Sequence, residues 1–90
     1  MVLIMTTDKH TERTGGVGRD IHEFIDQFYD LFGNKHRVIF HHKEGIEWLC
    51  KVFGESNRWI IEKHISDDVN GDMFDNPIPD KEYAIRLWGI

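Results

Sequence analysis

The sequence contains little cysteine and no long apolar run, and each of these shortages excludes a class of protein. Its 90 residues include one cysteine. The single cysteine, Cys50, cannot form an intrachain disulfide and is typical of a reducing compartment, and we expect its thiol to be buried and inert. No apolar run is long enough to span a membrane, and residues 2–5 are too short for the core of a signal peptide. We therefore expect a soluble cytoplasmic protein, and a virus-encoded protein made inside a host cell would look the same.

An excess of positive charge is missing as well. The chain carries 11 Lys and Arg against 16 Asp and Glu, a formal net charge of −5 with neutral histidines. Nucleic-acid-binding domains present a basic patch, so we expect no nucleic-acid partner. A negative charge is compatible with a metal ion or with a basic protein partner. The aromatic content of 12% is high for so short a chain and makes a homodimer a further expectation.

Hydrophobic periodicity predicts a mainly α-helical fold, a small bundle of three core helices with a short C-terminal helix. Residues 6–18 are polar and end in three closely spaced glycines, so we predict a flexible N-terminal arm over residues 1–18. Within that arm, residues 2–5 are expected to add a short strand or to pack on a neighbouring molecule. Residues 19–90 are predicted to form one helical domain with a modest core.

The first core helix is predicted to begin near Asp20 and to end at Gly33. One of its faces is apolar, and we assign that face to the core. The opposite face carries Asp26 and Asp30, which we expect to be exposed, and His22 beside the apolar stripe is expected to be solvated. The apolar stripe consists of Ile21, Phe24, Ile25, Phe28, Leu31 and Phe32.

Two further core helices are predicted, over residues 35–53 and from about residue 56 to about residue 68, with Gly54 ending the first of them. The short connection favours antiparallel packing of the two helices. Residues 69–80 are predicted to form a loop, and because it lacks the ligand order of an EF-hand we expect no calcium site there. Asp80 is predicted to cap the last helix.

Histidines are concentrated in the second predicted helix. Three of the six histidines lie within seven positions, 36–42, and His64 lies in the third helix. On an unbroken second helix His42 shares the apolar face, while His64 and Asp68 lie one turn apart on an apolar face of the third. Imidazole nitrogens and carboxylate oxygens bind divalent transition metals, of which zinc is the first choice. The predicted metal site consists of His42, His64 and Asp68, with His41, His36 and Glu44 as further ligands or as groups that orient the ligands.

The same residues admit other interpretations. Buried histidines can form a structural hydrogen-bond network with carboxylates, and Asp67 competes with Asp68 because both lie on the same side of the helix as His64. Metal-free acid–base catalysis is a third interpretation. If the protein is a metalloenzyme, we expect a hydrolase with His41 or Glu44 as general base. The main alternative function is a small acidic interaction protein that binds or inhibits a host protein through carboxylates such as Asp26, with structural histidines.

Several short motifs of the chain follow one another in an order that resembles a known pattern. They are similar to the HR…HHxEGI…FG…HI…D pattern of an uncharacterised family of small bacterial and phage proteins, over roughly residues 36–88. This chain has a shorter connection before the third helix and an additional Asn-Gly-Asp-Met-Phe-Asp-Asn loop after it. The resemblance implies a helical domain of unknown function and a phage or bacterial setting, without an established activity. The matching motifs are His36-Arg37, His41-His42, Glu44-Gly45-Ile46, Phe53-Gly54, His64-Ile65 and Asp67-Asp68, with Ile78-Pro79 and Trp88 downstream.

Overall fold

The computed structural model describes residues 6–70, 78 and 80–88, and every regular element within them is helical. The predicted mainly α-helical fold is therefore confirmed. No described helix is long and apolar enough to cross a membrane. Short 3₁₀ turns occupy Gly33–His36 and Glu55–Asn57. The α-helices are α1 (Thr7–Arg13), α2 (Arg19–Phe32), α3 (Arg37–Phe40), α4 (Lys43–Phe53), α5 (Arg58–Asn70) and α6 (Lys81–Trp88).

The core is rich in isoleucine and lies between α2, α4 and α5. Burial of an isoleucine or leucine side chain contributes roughly 1.5–3 kcal/mol, so these contacts supply most of the stability of the bundle. Phe24 and Phe28 of α2 pack against the core without being fully covered, and Cys50 is buried, as predicted. The buried apolar side chains are Ile21, Ile25, Phe40, Ile46, Leu49, Cys50, Ile60, Ile61, Ile65 and Ala84.

The first predicted helix corresponds closely to α2. The helix begins one residue before Asp20 and is followed by Gly33, whose φ of 61° suits glycine. The predicted apolar stripe holds for most of its length but fails in the last turn. There Leu31 is 70% exposed and Phe32 is 53% exposed, so these two side chains do not belong to the core.

The prediction of a flexible arm over residues 1–18 is corrected by the presence of the helix α1. Residues 7–13 are helical, and the helix begins with the Thr6 side chain accepting a hydrogen bond from the Lys9 amide at 3.2 Å. A seven-residue helix is not stable alone, so α1 depends on tertiary contacts. Arg13 supplies one of them, because its guanidinium donates two hydrogen bonds, of 2.8 and 3.1 Å, to the carboxylate of Asp67 on α5. Polar composition alone does not reveal such contacts.

The predicted unbroken helix over residues 35–53 is also wrong. The chain forms the short α3, breaks at His41-His42 and restarts as α4. His42 has an extended backbone, with φ −153° and ψ 171°, and caps α4. Gly45 permits the break, because a Cβ atom at this position would overlap the carbonyl oxygen of Phe40. Apolar spacing continues across the break and therefore conceals it.

The C-terminal part of the chain agrees with the prediction where it is described. The third core helix, α5, extends two residues beyond the expected end and reaches Asn70. Asp80 caps α6, because its Oδ1 atom accepts a hydrogen bond of 2.8 Å from the Tyr83 amide. The predicted segment at residues 2–5 and most of the predicted loop, residues 71–77 and 79, lie outside the described residues.

Candidate metal centre

All six histidines of the chain are buried, with exposed fractions between 0 and 3%. The His22 side chain was expected to be solvated and is 0% exposed, so that expectation is wrong. The Asp26 carboxylate was expected on the surface, but its side chain is only 19% exposed. The reason is α1, which covers the face of α2 that carries both residues. Five histidines and two aspartates form a group that we call the His/Asp cluster: His10, His22, His36, His41, His64, Asp26 and Asp68.

Asp68 on α5 lies at the centre of the His/Asp cluster. Its Oδ2 atom is 2.7 Å from His41 Nε2 and 3.4 Å from His64 Nε2, and its Oδ1 atom is 3.0 Å from His10 Nε2. Burial raises the pKa of this carboxyl, but the three imidazoles outweigh burial and hold the pKa far below its usual range. Asp68 is therefore a buried carboxylate anion surrounded by nitrogen.

Asp26 on α2 supplies a second carboxylate to two of these imidazoles. Its Oδ1 atom is 3.3 Å from His64 Nε2 and 3.8 Å from His10 Nε2, while its Oδ2 atom accepts a hydrogen bond of 2.7 Å from the Thr7 hydroxyl. Burial raises the pKa of the Asp26 carboxyl, and the neighbouring His64 and Thr7 groups lower it by more. The two carboxylates thus flank the same pair of imidazole nitrogens.

The imidazole rings of His10 and His64 are stacked, with centroids 3.7 Å apart and planes inclined by 14°. The Nε2 atoms of both rings are buried and have no hydrogen-bond partner among the described residues, although carboxylate oxygens lie close by. Short distances without hydrogen-bond alignment are the arrangement expected of ligands that share one ion. One ligand atom from each of His10, Asp26, His64 and Asp68 lies within 4.8 Å of the other three.

A chain of hydrogen bonds behind His64 determines which of its nitrogens faces the carboxylates. The Thr14 hydroxyl lies 3.3, 3.1 and 2.8 Å from three backbone carbonyls, so it donates to one of them and accepts from His22 Nε2 at 2.9 Å. His22 is neutral, because burial lowers its pKa to about 4, and its Nδ1 therefore accepts from His64 Nδ1 at 2.7 Å. Hence Nε2 of His64 is the atom that faces Asp26 and Asp68.

The electrostatic environment of His64 favours a positive charge at that atom. Burial lowers the pKa of His64, but Asp26 and Asp68 outweigh it and raise the pKa to about 9. Either a proton or a metal ion at Nε2 would satisfy the two anions. The His64 arrangement, with Nδ1 held by an outer hydrogen bond and Nε2 directed inward, is typical of metal-ligating histidines.

His36 and His41 form a second pair of imidazoles near Asp68. The rings of the two histidines meet edge to face, with centroids 4.8 Å apart. Burial lowers the pKa of His41 to about 4, so the ring is neutral and its Nε2 donates to Asp68 Oδ2. Nδ1 of His36 donates to the Gly33 carbonyl at 2.8 Å. His36, His41 and Asp68 form a second group whose ligand atoms lie within 4.8 Å of one another.

The structure brings together four of the six predicted site residues, His36, His41, His64 and Asp68, and leaves out His42 and Glu44. His42 uses both ring nitrogens locally, since Nδ1 accepts from the Gly45 amide at 3.0 Å and Nε2 donates to the carbonyls of Val38 and Ile39 at 3.0 and 3.1 Å. Glu44 is exposed and accepts from the Lys81 amide at 2.8 Å. Neither residue belongs to a described group with metal-ligand spacing.

Three cluster members were not predicted: His10, His22 and Asp26. A signal for two of them exists, because His22 and Asp26 on α2 repeat the His-x-x-x-Asp spacing of His64 and Asp68 on α5. That spacing places histidine and aspartate on one helix face in both elements. His10 has no comparable signal, since nothing in its neighbourhood predicts that α1 packs on α2.

Two pockets on the described surface lie beside α4 and not at the His/Asp cluster. One is lined mainly by charged side chains, among them Lys43, Glu47 and Arg58. The other contains His42 and Trp48. Neither lining includes a member of the cluster, so neither pocket gives a substrate access to it.

The chain matches no protein-family model, no curated protein and no solved structure in the comparisons made. The resemblance of its HHxEGI region to a family of small bacterial and phage proteins therefore stays a prediction. What the structure establishes is a small helical protein with buried histidine and aspartate groups that could hold a metal ion.

Proposed function

We propose that this protein binds one divalent transition-metal ion between α1, α2 and α5, with His10, Asp26, His64 and Asp68 as ligands. One observation carries the proposal: two buried imidazole Nε2 atoms without hydrogen-bond partners converge with two carboxylates. The site differs from the predicted one in its helices and in two of its ligands. His10 and Asp26 replace His42 in the proposed ligand set.

A structural hydrogen-bond network explains this arrangement less well. Buried polar atoms in folded proteins are paired in the great majority of cases, and an unpaired one costs about 1–3 kcal/mol. Here both ring nitrogens of His10 and Nε2 of His64 lack a partner among the described residues. A metal ion would satisfy the two Nε2 atoms together and would neutralise the two carboxylates. The network interpretation instead needs a proton on each Nε2 atom, directed at carboxylate oxygens that lie 3.0–3.4 Å away but outside hydrogen-bond alignment.

The donor set suggests which metal would bind and in what role. Two imidazole nitrogens and two carboxylate oxygens suit a first-row divalent ion, and zinc is our first choice because four-coordinate sites are its usual structural form. The ligands come from three helices, and His10, His64 and Asp68 are at most 7% exposed, which favours a structural role over hydrolysis. A structural ion would add stability that a 90-residue core lacks.

The alternative of an acidic interaction protein receives less support. Asp26 was one of the carboxylates expected to contact a basic partner, and it lies in the His/Asp cluster instead. The described surface does expose large apolar side chains, with Trp48 47% and Trp59 55% exposed, but these are not acidic groups. A protein partner, a homodimer and a cytoplasmic location stay predictions.

The proposal is tested by the metal content of tag-free protein, measured by elemental analysis after purification and again after titration with zinc, manganese, iron(II) and cobalt salts. We expect tight binding of a first ion by the wild-type protein. Asp26→Asn replaces one ligand by a group of the same shape and should reduce the affinity for that ion by at least tenfold. Circular dichroism verifies that the variant remains helical.

Asp67→Asn is the matched control for this experiment. Asp67 is a buried neighbour of Asp68, but its carboxylate pairs with Arg13 and Lys63 and belongs to none of the described groups with metal-ligand spacing. The amide of the variant keeps an oxygen that accepts from the Arg13 guanidinium, so α1 stays in contact with α5 and the control should keep its metal. The proposal fails if wild-type protein neither retains nor takes up any of the four metals, or if both variants bind them as the wild type does.

A further inference from the structure

We infer that the His/Asp cluster has a second metal position, formed by His36, His41 and Asp68, so that Asp68 bridges two ions. The inference rests on the proposed function, because it adds an ion beside the one held by His10, Asp26 and His64. It changes the class of the site from a single-ion site to a two-metal centre.

The orientation of Asp68 is the first argument. Its Oδ1 atom is 3.0 Å from His10 Nε2, whereas its Oδ2 atom is 2.7 Å from His41 Nε2 and also 3.4 Å from His64 Nε2, so the carboxylate reaches both sets of histidines. A carboxylate placed between two sets of nitrogen ligands can bind one ion through each oxygen. Two-metal sites in proteins hold their ions about 3.5–4 Å apart, a separation that one carboxylate spans.

The orientation of His36 is the second argument. The Gly33 carbonyl can only accept a hydrogen bond, so Nδ1 of His36 carries the proton and Nε2 presents a lone pair. A backbone carbonyl that holds one ring nitrogen is the usual outer partner of a metal-ligating histidine. The 3₁₀ turn Gly33–His36 brings that carbonyl and the His36 ring together.

The position of His41 is the third argument. Its side chain is 1% exposed, and its Nε2 already lies beside Asp68 Oδ2. Its Nδ1 is buried and has no hydrogen-bond partner among the described residues. An ion between His41 Nε2 and Asp68 Oδ2 would displace the Nε2 proton to the Nδ1 atom of the same ring, and it would draw in His36, whose ring is in contact with His41.

The charges predict the order in which the two positions fill. The first position has two carboxylates, Asp26 and Asp68, whereas the second shares only Asp68. A second divalent ion therefore binds beside the positive charge of the first, and fewer carboxylates offset the repulsion between the two ions. We expect the second ion to bind more weakly than the first and to be observed in a stepwise titration.

The test is a titration of metal-stripped full-length protein with manganese(II) chloride, followed by equilibrium dialysis with elemental analysis and by electron paramagnetic resonance. Wild-type protein should bind two ions in two steps. The six-line signal of an isolated manganese(II) ion should appear with the first equivalent and give way to the broad signal of a coupled pair with the second. His36→Ala and the milder His36→Gln should bind one ion and keep the isolated-ion signal.

His42→Ala is the matched control, because it removes a buried histidine from the same region without touching the cluster, and it should still bind two ions. The inference is overturned if wild-type protein saturates at one ion, or if both His36 variants still form the coupled pair. The wild-type stoichiometry decides the question even if the His36 variants fold poorly. Saturation at one ion that Asp26→Asn weakens would leave the proposed function standing, whereas no binding at all would remove both.

Discussion

At the scale of single residues, the hydroxyl group of Thr14 controls the orientation of the His64 ring, although Thr14 is not one of the proposed ligands. It accepts a hydrogen bond from His22, which in turn orients His64 through a contact of 2.7 Å between the two Nδ1 atoms. Thr14 itself touches neither carboxylate. It acts only by determining which nitrogen of His64 is available as a ligand.

Thr14→Val should therefore weaken metal binding without removing a ligand. Loss of an outer hydrogen-bond partner of a metal-ligating histidine typically lowers affinity about 10- to 100-fold. We expect a decrease of that size with an unchanged number of ions at saturation. Competition against a chelator of known affinity measures it.

Thr11→Val is the control for this substitution. Thr11 lies in α1 and is also buried, but its hydroxyl donates to the Thr7 carbonyl at 2.8 Å and has no contact with His22. Its replacement should leave metal affinity at the wild-type value. Equal losses in the two variants would show that packing around α1, and not the orientation of His64, controls binding.

The neighbours Asp67 and Asp68 show the limit of prediction at this scale. Both lie within one turn of His64, and helical spacing does not choose between them. The structure distinguishes them through their partners, which are Arg13 and Lys63 for the first residue and three histidines for the second. Those partners come from other elements, so the choice depended on tertiary packing.

At the scale of elements, the break between α3 and α4 gives His42 a structural role. Its Nδ1 accepts a hydrogen bond from the Gly45 amide, one of the amides at the beginning of α4 that have no partner within the helix. Histidine in this position replaces the serine, threonine or aspartate that more often caps a helix. The same break orients the adjacent His41 toward Asp68.

His42→Ala should accordingly destabilise the fold and leave the metal in place. Loss of a helix cap costs about 1 kcal/mol of the free energy of unfolding, within a range of about 0.5–2 kcal/mol. Chemical denaturation measures this loss, and elemental analysis of the same sample measures the metal. His42→Asn, which keeps an acceptor at the cap position, should recover part of the stability. A folded His42→Ala protein without metal would instead support the ligand role predicted from the apolar face.

At the scale of the whole molecule, the proposed ion connects helices that are distant in the chain. Its ligands lie on α1, α2 and α5, and α1 contributes few apolar contacts of its own to the described core. An ion that binds the folded state but not the unfolded one stabilises the fold by mass action. Metal binding should therefore raise the stability of the entire domain.

The expected size of this effect is large for so small a protein. At a free metal concentration 100 times the dissociation constant the stabilisation is about 2.7 kcal/mol. For a domain of this size each kcal/mol shifts the melting temperature by about 4–8 °C, so zinc should raise it by about 10–20 °C. Calorimetry with zinc and then with excess chelator measures the shift. Asp26→Asn should show a much smaller shift in melting temperature. If zinc leaves the wild-type melting temperature unchanged, the result counts against the site.

Much of this architecture follows from local sequence. Apolar spacing predicts α2 and the core parts of α4 and α5, Gly33 and Gly54 mark two helix ends, and Asp80 marks the start of α6. His64 and Asp68 were also placed on one face correctly, since the spacing of residues within one helix determines which of them are neighbours. These features depend only on residues a few positions apart.

The composition of the His/Asp cluster was decided by tertiary structure. His10 joins it because α1 packs on α2, Asp26 joins it because that packing covers a polar face, and His41 replaces His42 because the chain breaks between α3 and α4. Each of these outcomes depends on contacts between segments far apart in the chain. Helical periodicity describes the faces of one element, whereas the packing of all elements determines which faces meet, and so it decides which of six buried histidines surround Asp68.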